Sequence, residues 1–285
     1  MSEILCSTGA LLGNSNGRDY RLLEKLSKEL TCDGFEFMMY SSWYDEVEEL
    51  KSTLSNMKLY MPVMHCVKHI GERISEGGEE KFDYAYKSFE TNCQIAKAID
   101  ANKLVLHLWS GPASDCNFDN NIMAYKELVN IARSYSLELL IENIVCNQES
   151  PMKRWCDLYE KYPDIKFVYD TKMAAFHEEV DLLYKEEYEW LWKEGHITHY
   201  HINDYAGGYK DWQNLRTLPI GQGHIDFDKF FEYINRIGYD GTYTIESTAF
   251  RKDGSIDVDM LNRQFEYIRS KVDLKESMER NILGL

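Results

Sequence analysis

The sequence predicts an α/β protein of the (β/α)₈ barrel class, one domain spanning residues 1–285. Three observations lead there. Eight short apolar, β-branched or aromatic runs alternate with longer stretches of helical periodicity. No linker or shift in composition divides the chain. The turn after the first run, Gly9 to Gly17, does not fit the GxGxxG pattern that announces an open dinucleotide-binding sheet. Alternating strands and helices favour a parallel sheet, and eight such units favour its closure.

The strand candidates are Ile4–Thr8, Gly34–Met39, Met61–Cys66, Lys103–Leu108, Glu138–Glu142, Lys166–Asp170, Thr198–Ile202 and Thr242–Glu246. Helical periodicity covers Asp19–Leu30, Trp43–Met57, Lys81–Ile99 and Asn121–Tyr135. It returns over Met152–Lys161, Asp181–Glu194, Phe227–Ile237 and Asp257–Val272. Asp19, Asp226 and the pair Ser150-Pro151 read as helix starts, because a capping oxygen or a proline suits the first turn. Asn203–Gly223, rich in Gly, Tyr and Trp, is too long for a simple turn and reads as a lid or binding loop.

The composition is 44% hydrophobic and 28% charged, which permits a sizeable core. No run of eighteen apolar residues suggests a membrane span, and the amino terminus lacks the pattern of a signal peptide. A net charge of −16 opposes non-specific binding to nucleic acids or anionic membranes. Seven cysteines without a CxxC pair, with Cys6, Cys66 and Cys146 in or beside strand-like runs, fit buried thiols in a reducing cytoplasm.

The functional signal lies where the strands stop. Polar residues close them in succession: Glu36, His65, His107, Glu142-Asn143, Asp170, His201 to Asp204, and Glu246-Ser247. Their intervals, from 28 residues (Glu142 to Asp170) to 45 (His201 to Glu246), each match one strand–helix unit. Parallel strands of a barrel deliver their carboxyl ends to one face, so these side chains should converge. A ring of Asp, Glu and His suits a divalent ion such as Mn²⁺, Mg²⁺, Co²⁺ or Zn²⁺. Without a cation, clustered carboxylates repel and some must protonate. Taken singly, His65 or His107 reads as a hydrogen-bonded group beside the core, and Glu36 as a group behind the ligands or facing a substrate.

On Leu-Ile-Glu142-Asn, Val-Tyr-Asp170, His199-Tyr-His201-Ile-Asn-Asp204, Leu-Pro-Ile-Gly221-Gln-Gly223 and Thr-Ile-Glu246-Ser, the chain resembles the xylose isomerase-like TIM barrels. These include sugar and sugar-phosphate isomerases or epimerases, ketose 3-epimerases and type-IV apurinic endonucleases. In the epimerase branch the resemblance implies one divalent ion, Mn²⁺ foremost, held by Glu142, Asp170, His201 and Glu246. It implies proton transfer beside a carbonyl through an enediolate, with Glu142 and Glu246 as the acid–base pair. His65 and His107 would orient substrate hydroxyls or the ligands. The implied partner is a small sugar or sugar phosphate, with no nucleic acid and no membrane.

The departures narrow this. Ketose 3-epimerases carry a His where this chain has Met173 and an Arg where it has Gly207. The endonucleases require a histidine at the position of Met173 and an Asp-x-His at Leu215-Arg216-Thr217. The alternatives to an isomerase are a metal-dependent phosphodiesterase related to those endonucleases and a non-catalytic polyol-binding barrel.

Further candidates follow, several with more than one reading. Lys172 either stabilises an enolate or contacts a carboxylate or phosphate, or it is an ordinary exposed lysine. Pro219-Ile-Gly221-Gln-Gly223-His224 either binds phosphate through backbone N–H groups or is a tight loop. Asp204, Arg216 and His224 are candidate substrate contacts. Tyr205, Tyr209 and Trp212 form a wall over a sugar, pack the loop on itself, or meet a second subunit of a homo-oligomer. Trp190 and Trp192 read as outer packing or an oligomer contact, and Glu178-Glu179 and Glu186-Glu187 as solvated helix faces.

Overall fold

The computed structural model of the chain describes residues 2–272, so Met1 and residues 273–285 of the expected single domain lie outside the described residues. Eight parallel strands close into a barrel in sequence order, the last pairing with the first. They are β1 (Glu3–Ser7), β2 (Gly34–Met38), β3 (Val63–His65), β4 (Lys103–Leu106), β5 (Glu138–Glu142), β6 (Lys166–Asp170), β7 (Ile197–Ile202) and β8 (Thr242–Ile245). Among the described residues the helices are α1 (Leu23–Leu26), α2 (Val47–Met57), α3 (His69–Glu76), α4 (Glu79–Ala98) and α5 (Phe118–Ser134). Then come α6 (Pro151–Lys161), α7 (Thr171–Phe176), α8 (Trp190–Lys193), α9 (Phe227–Ile237) and α10 (Val258–Val272). None is long and apolar enough to cross a membrane.

Strand side chains alternate between the barrel interior and the helical shell. The outward set packs under the helices in one large core: Trp155 of α6 stacks on Phe167 of β6 at 4.3 Å between ring centres. The inward set forms a separate small cluster of Leu5, Val63, Val105, Leu140 and Val168. Two residues further along each of these strands stand Ser7, His65, His107, Glu142 and Asp170, all buried. The alternation therefore places a polar layer directly on an apolar one.

The expected helix starts hold. Asp19 accepts from the Arg21 amide, Asp226 from that of Lys229, and Ser150 Oγ from that of Lys153, with Pro151 in the first turn. All seven cysteines are free thiols, and Cys6, Cys66 and Cys146 are buried.

Three expectations change. The helix expected over Asp181–Glu194 breaks into 3₁₀ turns at Val180–Tyr184 and Glu186–Tyr188 before the short α8. Asp19–Leu30 reduces to a 3₁₀ turn and the four residues of α1. Glu179 is not solvated: it is buried, and its carboxylate accepts the Met152 amide of α6 at 3.0 Å.

Helix α3 was not foreseen. It buries Ile70, Gly71 and Ile74, and packs so closely on the end of β4 that a Cβ at Gly71 would lie 2.1 Å from the His107 carbonyl oxygen. Gly71→Ala is expected to cost about 1–3 kcal/mol in chemical denaturation, the usual range for overpacking. Gly208→Ala, where a new Cβ meets nothing within 4 Å, should stay within about 0.5 kcal/mol of the parent. Equal stabilities would show that the α3–β4 contact is not close.

Candidate metal centre and substrate cavity

The polar layer opens into a cavity of about 450 Å³ at the carboxyl ends of the strands. Its lining includes His65, His107, Glu142, Lys172, Met173 and Glu246. Donor atoms of Glu142, Asp170, His201 and Glu246, from β5, β6, β7 and the residue after β8, lie within 4.8 Å of one another. The structure thus brings together four side chains that span more than a hundred residues of sequence.

The hydrogen bonds around this quartet show how it is oriented. Glu36, inward on β2, is fully buried, and its Oε2 accepts from His199 Nε2 (2.9 Å), His201 Nε2 (3.1 Å) and Thr244 Oγ1 (2.7 Å). With Nε2–H of His201 given to Glu36, its Nδ1 faces Glu142 Oε1 at 3.3 Å and Glu246 Oε2 at 3.7 Å. His65 repeats the pattern: Nδ1–H donates to the Cys66 carbonyl at 2.9 Å, and Nε2 faces Glu142 Oε2 at 3.2 Å. His107 Nε2 lies 2.8 Å from the same oxygen.

A neutral imidazole whose single N–H is already donated presents a lone pair at its other nitrogen. In His201 and His65 that lone pair would face carboxylate lone pairs. A second ring proton relieves the conflict, as does a cation among the donors. Burial alone would lower the pKa of His201, but the carboxylates of Glu36, Glu246 and Glu142 hold it well above the ordinary value. Asp170 is lifted to about 6, chiefly by burial, with Glu246 and Glu142 adding to the rise and Lys172 opposing it. His107 falls to about 4, chiefly through burial. This donor set fits a divalent ion: three carboxylates and one imidazole nitrogen converge, and the supporting bonds orient them toward one another.

Residues that the sequence reading did not assign complete the support. Asn203 Nδ2 donates to Asp170 Oδ2 (3.3 Å) and Glu246 Oε2 (3.0 Å), tying two members of the quartet together. Asn143 exchanges bonds with the Asp170 backbone, accepting its N–H at 2.6 Å and donating to its carbonyl at 3.0 Å. His199 fixes Glu36. Each stood inside or beside a motif already singled out, so position was the available signal. Arg18 and Lys68 also line the cavity, from the loops after β1 and β3, and no strand pattern marks them.

Lys172 is buried and not an exposed lysine. Its Nζ lies 3.7 Å from Asp170 Oδ2 and donates to Thr217 Oγ1 at 3.1 Å. Burial lowers its pKa, and the carboxylates of Asp170, Glu246 and Glu142 more than restore it.

Four expected substrate contacts stand elsewhere. Glu36 lies beneath His201, out of the cavity lining. Asp204 is buried, with Oδ1 accepting the amides of Tyr205 (2.8 Å) and Ile225 (3.2 Å) and Oδ2 those of Gly221 (2.9 Å) and Gly223 (2.8 Å). The Gly-x-Gly amides are therefore taken by this chain's own carboxylate, and a phosphate has no place on them. Gly223 lacks a side chain for the same reason: a Cβ there would lie 2.2 Å from the Tyr205 carbonyl oxygen. His224 is exposed and directs Nε2 to the Gly207 carbonyl at 2.8 Å, while Arg216 is exposed outside the cavity. Tyr205 packs the loop on Phe176, whereas Tyr209 and Trp212 are 57% and 53% exposed and form no wall over the cavity.

Comparison with known proteins adds a family and a fold. A family model described as the xylose isomerase-like TIM barrel matches residues 25–271. An uncharacterized protein of Methanocaldococcus jannaschii is 30% identical over 195 residues, which is 64% of this chain and 62% of that relative's length. Among solved structures, an L-ribulose 3-epimerase superposes with a TM-score of 0.71 at 15% identity, covering 99% of this chain and 98% of its own. A D-tagatose 3-epimerase-like protein gives 0.67 at 20% identity, covering 97% and 99%. The 3-keto-D-glucoside 4-epimerase of E. coli gives 0.64 at 18%, covering 95% and 100%. At these identities the likeness is one of fold.

Asp204→Ala would strand four backbone N–H groups at once. The expected outcome is a loss of about 2–4 kcal/mol in chemical denaturation and rapid proteolytic cleavage within residues 203–226. A loop as resistant as that of the parent would show that Asp204 does not hold it.

Proposed function

The chain belongs to the xylose isomerase-like TIM barrel family, and from that premise we propose that it is a metal-dependent sugar or sugar-phosphate isomerase or epimerase, acting by proton transfer through an enediolate. The observation that carries this reading is the convergence of Glu142, Asp170, His201 and Glu246 within 4.8 Å at the base of a substrate-sized cavity. The epimerase activities named for its fold neighbours support it.

Those four residues would hold one divalent ion, Mn²⁺ first and Zn²⁺, Co²⁺ or Mg²⁺ next, given mixed carboxylate and imidazole donors. When bound, the ion supplies Lewis acidity toward adjacent oxygens of a hydroxy-carbonyl compound, which makes the proton beside the carbonyl easier to remove. The remaining work falls to the side chains. Glu246 lines the cavity, and its Oε2 is held by Asn203 while Oε1 accepts no hydrogen bond among the described residues. Oε1 is thus the oxygen free to take or return a proton. Glu142, from β5, also lines the cavity, has Oε2 2.8 Å from His107 Nε2, and serves as its acid–base counterpart. Lys172 presents an ammonium at the same wall, placed to offset negative charge on a substrate oxygen. Burial of this layer keeps bulk water from the proton in transit.

Metal content of the purified protein tests this first. About one ion per chain is expected, lost in His201→Ala and Glu246→Gln, together with solvent-deuterium uptake beside the carbonyl of a ketose. Two or three ions per chain would move the reading to phosphodiester hydrolysis. Failure to take up added Mn²⁺ or Zn²⁺ would sink the mechanism.

Glu36 tests the support beneath the quartet. Glu36→Gln keeps the shape but weakens the acceptor that fixes His201 Nε2–H. Metal affinity, read by competition with a chromophoric chelator, should fall about 10–100-fold. Unchanged affinity would show that Glu36 does not act through His201.

A further inference from the structure

The cavity is chemically two-sided. The quartet occupies the β5–β8 side, while the loops after β1, β2 and β3 supply the opposite wall: Arg18, then Tyr40 and Ser41, then Lys68 and His69. In a chain of net charge −16, with 48 acidic residues, a cation near the surface ordinarily finds a carboxylate. Arg18 and Lys68 do not: among the described residues neither makes an ion pair. Glu72 lines the same wall, and no ion pair joins it to either of them.

Arg18 is held in place without being neutralised. Its amide donates to the Gly13 carbonyl at 2.9 Å, and its carbonyl accepts Trp43 Nε1–H at 3.2 Å. The guanidinium lies over the Tyr40 ring, 4.6 Å from its centre, and the buried Nε has no hydrogen-bond partner. A guanidinium fixed by backbone anchoring and by an aromatic face, with donors unspent, is organised to receive an anion. Lys68 is exposed and lines the same wall of the cavity. Lys172 belongs to the quartet's side, its ammonium 3.7 Å from Asp170 Oδ2 and donating to Thr217 Oγ1 at 3.1 Å.

We propose that this cavity takes an anionic hydroxy-carbonyl compound, its phosphate or carboxylate seated on Arg18 and Lys68 while its carbonyl end lies over Glu142, Asp170, His201 and Glu246. The inference rests on the isomerase reading for the carbonyl end and on Arg18 and Lys68 for the anionic end. Neutral sugars would leave both cations of the β1–β3 wall without a counter-charge. An anionic terminus satisfies them and orients the substrate, because only one of its two ends is complementary to each wall.

Binding, not turnover, provides the test. Calorimetric titration of the full chain loaded with Mn²⁺ would compare ribitol, ribitol 5-phosphate and gluconate. The expected result is at least ~10-fold tighter binding of one or both anions than of ribitol, with the advantage shrinking as salt is raised. A preference for ribitol 5-phosphate identifies phosphate as the anionic group, and one for gluconate identifies carboxylate. In Lys68→Gln and in Arg18→Gln the advantage of the anions over ribitol should fall, and in the double variant it should vanish. Lys68 is exposed, so its variant remains informative even if Arg18→Gln folds poorly. Equal affinity for ribitol and both anions in the parent overturns the proposal. So does an anion advantage that survives in the double variant, since the anion would then sit on the metal. The two readings fail separately: absence of proton exchange with intact anion binding removes the isomerase, and exchange on neutral sugars without anion preference removes only the anionic substrate.

Discussion

Closure of the barrel fixes every inward side chain two residues from the next, and the rest of the site follows from that spacing. Above the apolar layer of Leu5, Val63, Val105, Leu140 and Val168, the next inward positions have no lipid-like space left and no bulk water either. Whatever stands there must be polar enough to meet the cavity and paired well enough to be buried. A carboxylate taken out of water costs several kcal/mol unless it is compensated. Glu142, Asp170 and Glu36 are each met by groups from other strands, His107 at the end of β4 for Glu142, Asn203 after β7 for Asp170, and His199 and His201 of β7 for Glu36, so the network crosses the barrel interior and does not simply follow strand order.

On the β7–β8–β2 side the apolar layer itself gives way. His199, Thr242 and Thr244 replace it, and His199 accepts from Thr242 Oγ1 at 2.5 Å while donating to Glu36. This polar plug lies beneath the quartet and ends at His201 Nε2. Its consequence is directional: His201 has one nitrogen committed downward and one presented upward. The choice of Asn, Thr and His as supports matters, because Lys or Arg would neutralise the carboxylates that a divalent ion is meant to find. Lys172 is the exception, and it sits at 3.7 Å from Asp170, beyond hydrogen-bond contact.

The strands and the quartet were legible in the sequence for one reason. An apolar run that stops at a charged residue marks both a strand end and an inward position, so Glu142, Asp170, His201 and Glu246 carried their location with them. Helix α3 was not legible, because His69-Ile-Gly-Glu-Arg-Ile follows β3 directly and its glycine reads as a loop. Only the nearby His107 carbonyl shows why glycine is required there. Of the two readings of Gly221-x-Gly223 the tight loop holds, and Asp204, expected at the substrate, is the group that tightens it. Amides arranged to hold an anion look the same in sequence whether the anion is a phosphate or a carboxylate of the same loop. Glu179 was misread because a charge pair on an expected helix face says nothing of the amide at Met152 that it reaches.

Net charge also reads differently at the two scales. At −16 the surface as a whole repels anions. Yet exposed charges farther than about 8 Å are largely screened at physiological ionic strength. Inside a cavity with low-dielectric walls, the charges that remain effective are the lining ones. There, Arg18, seated over the Tyr40 ring, and Lys68 line one wall and make no ion pair among the described residues, while Glu142 and Glu246 of the quartet line the cavity with them. The proposed orientation of a ligand therefore rests on the different charged groups of the two walls and not on the sum over the chain.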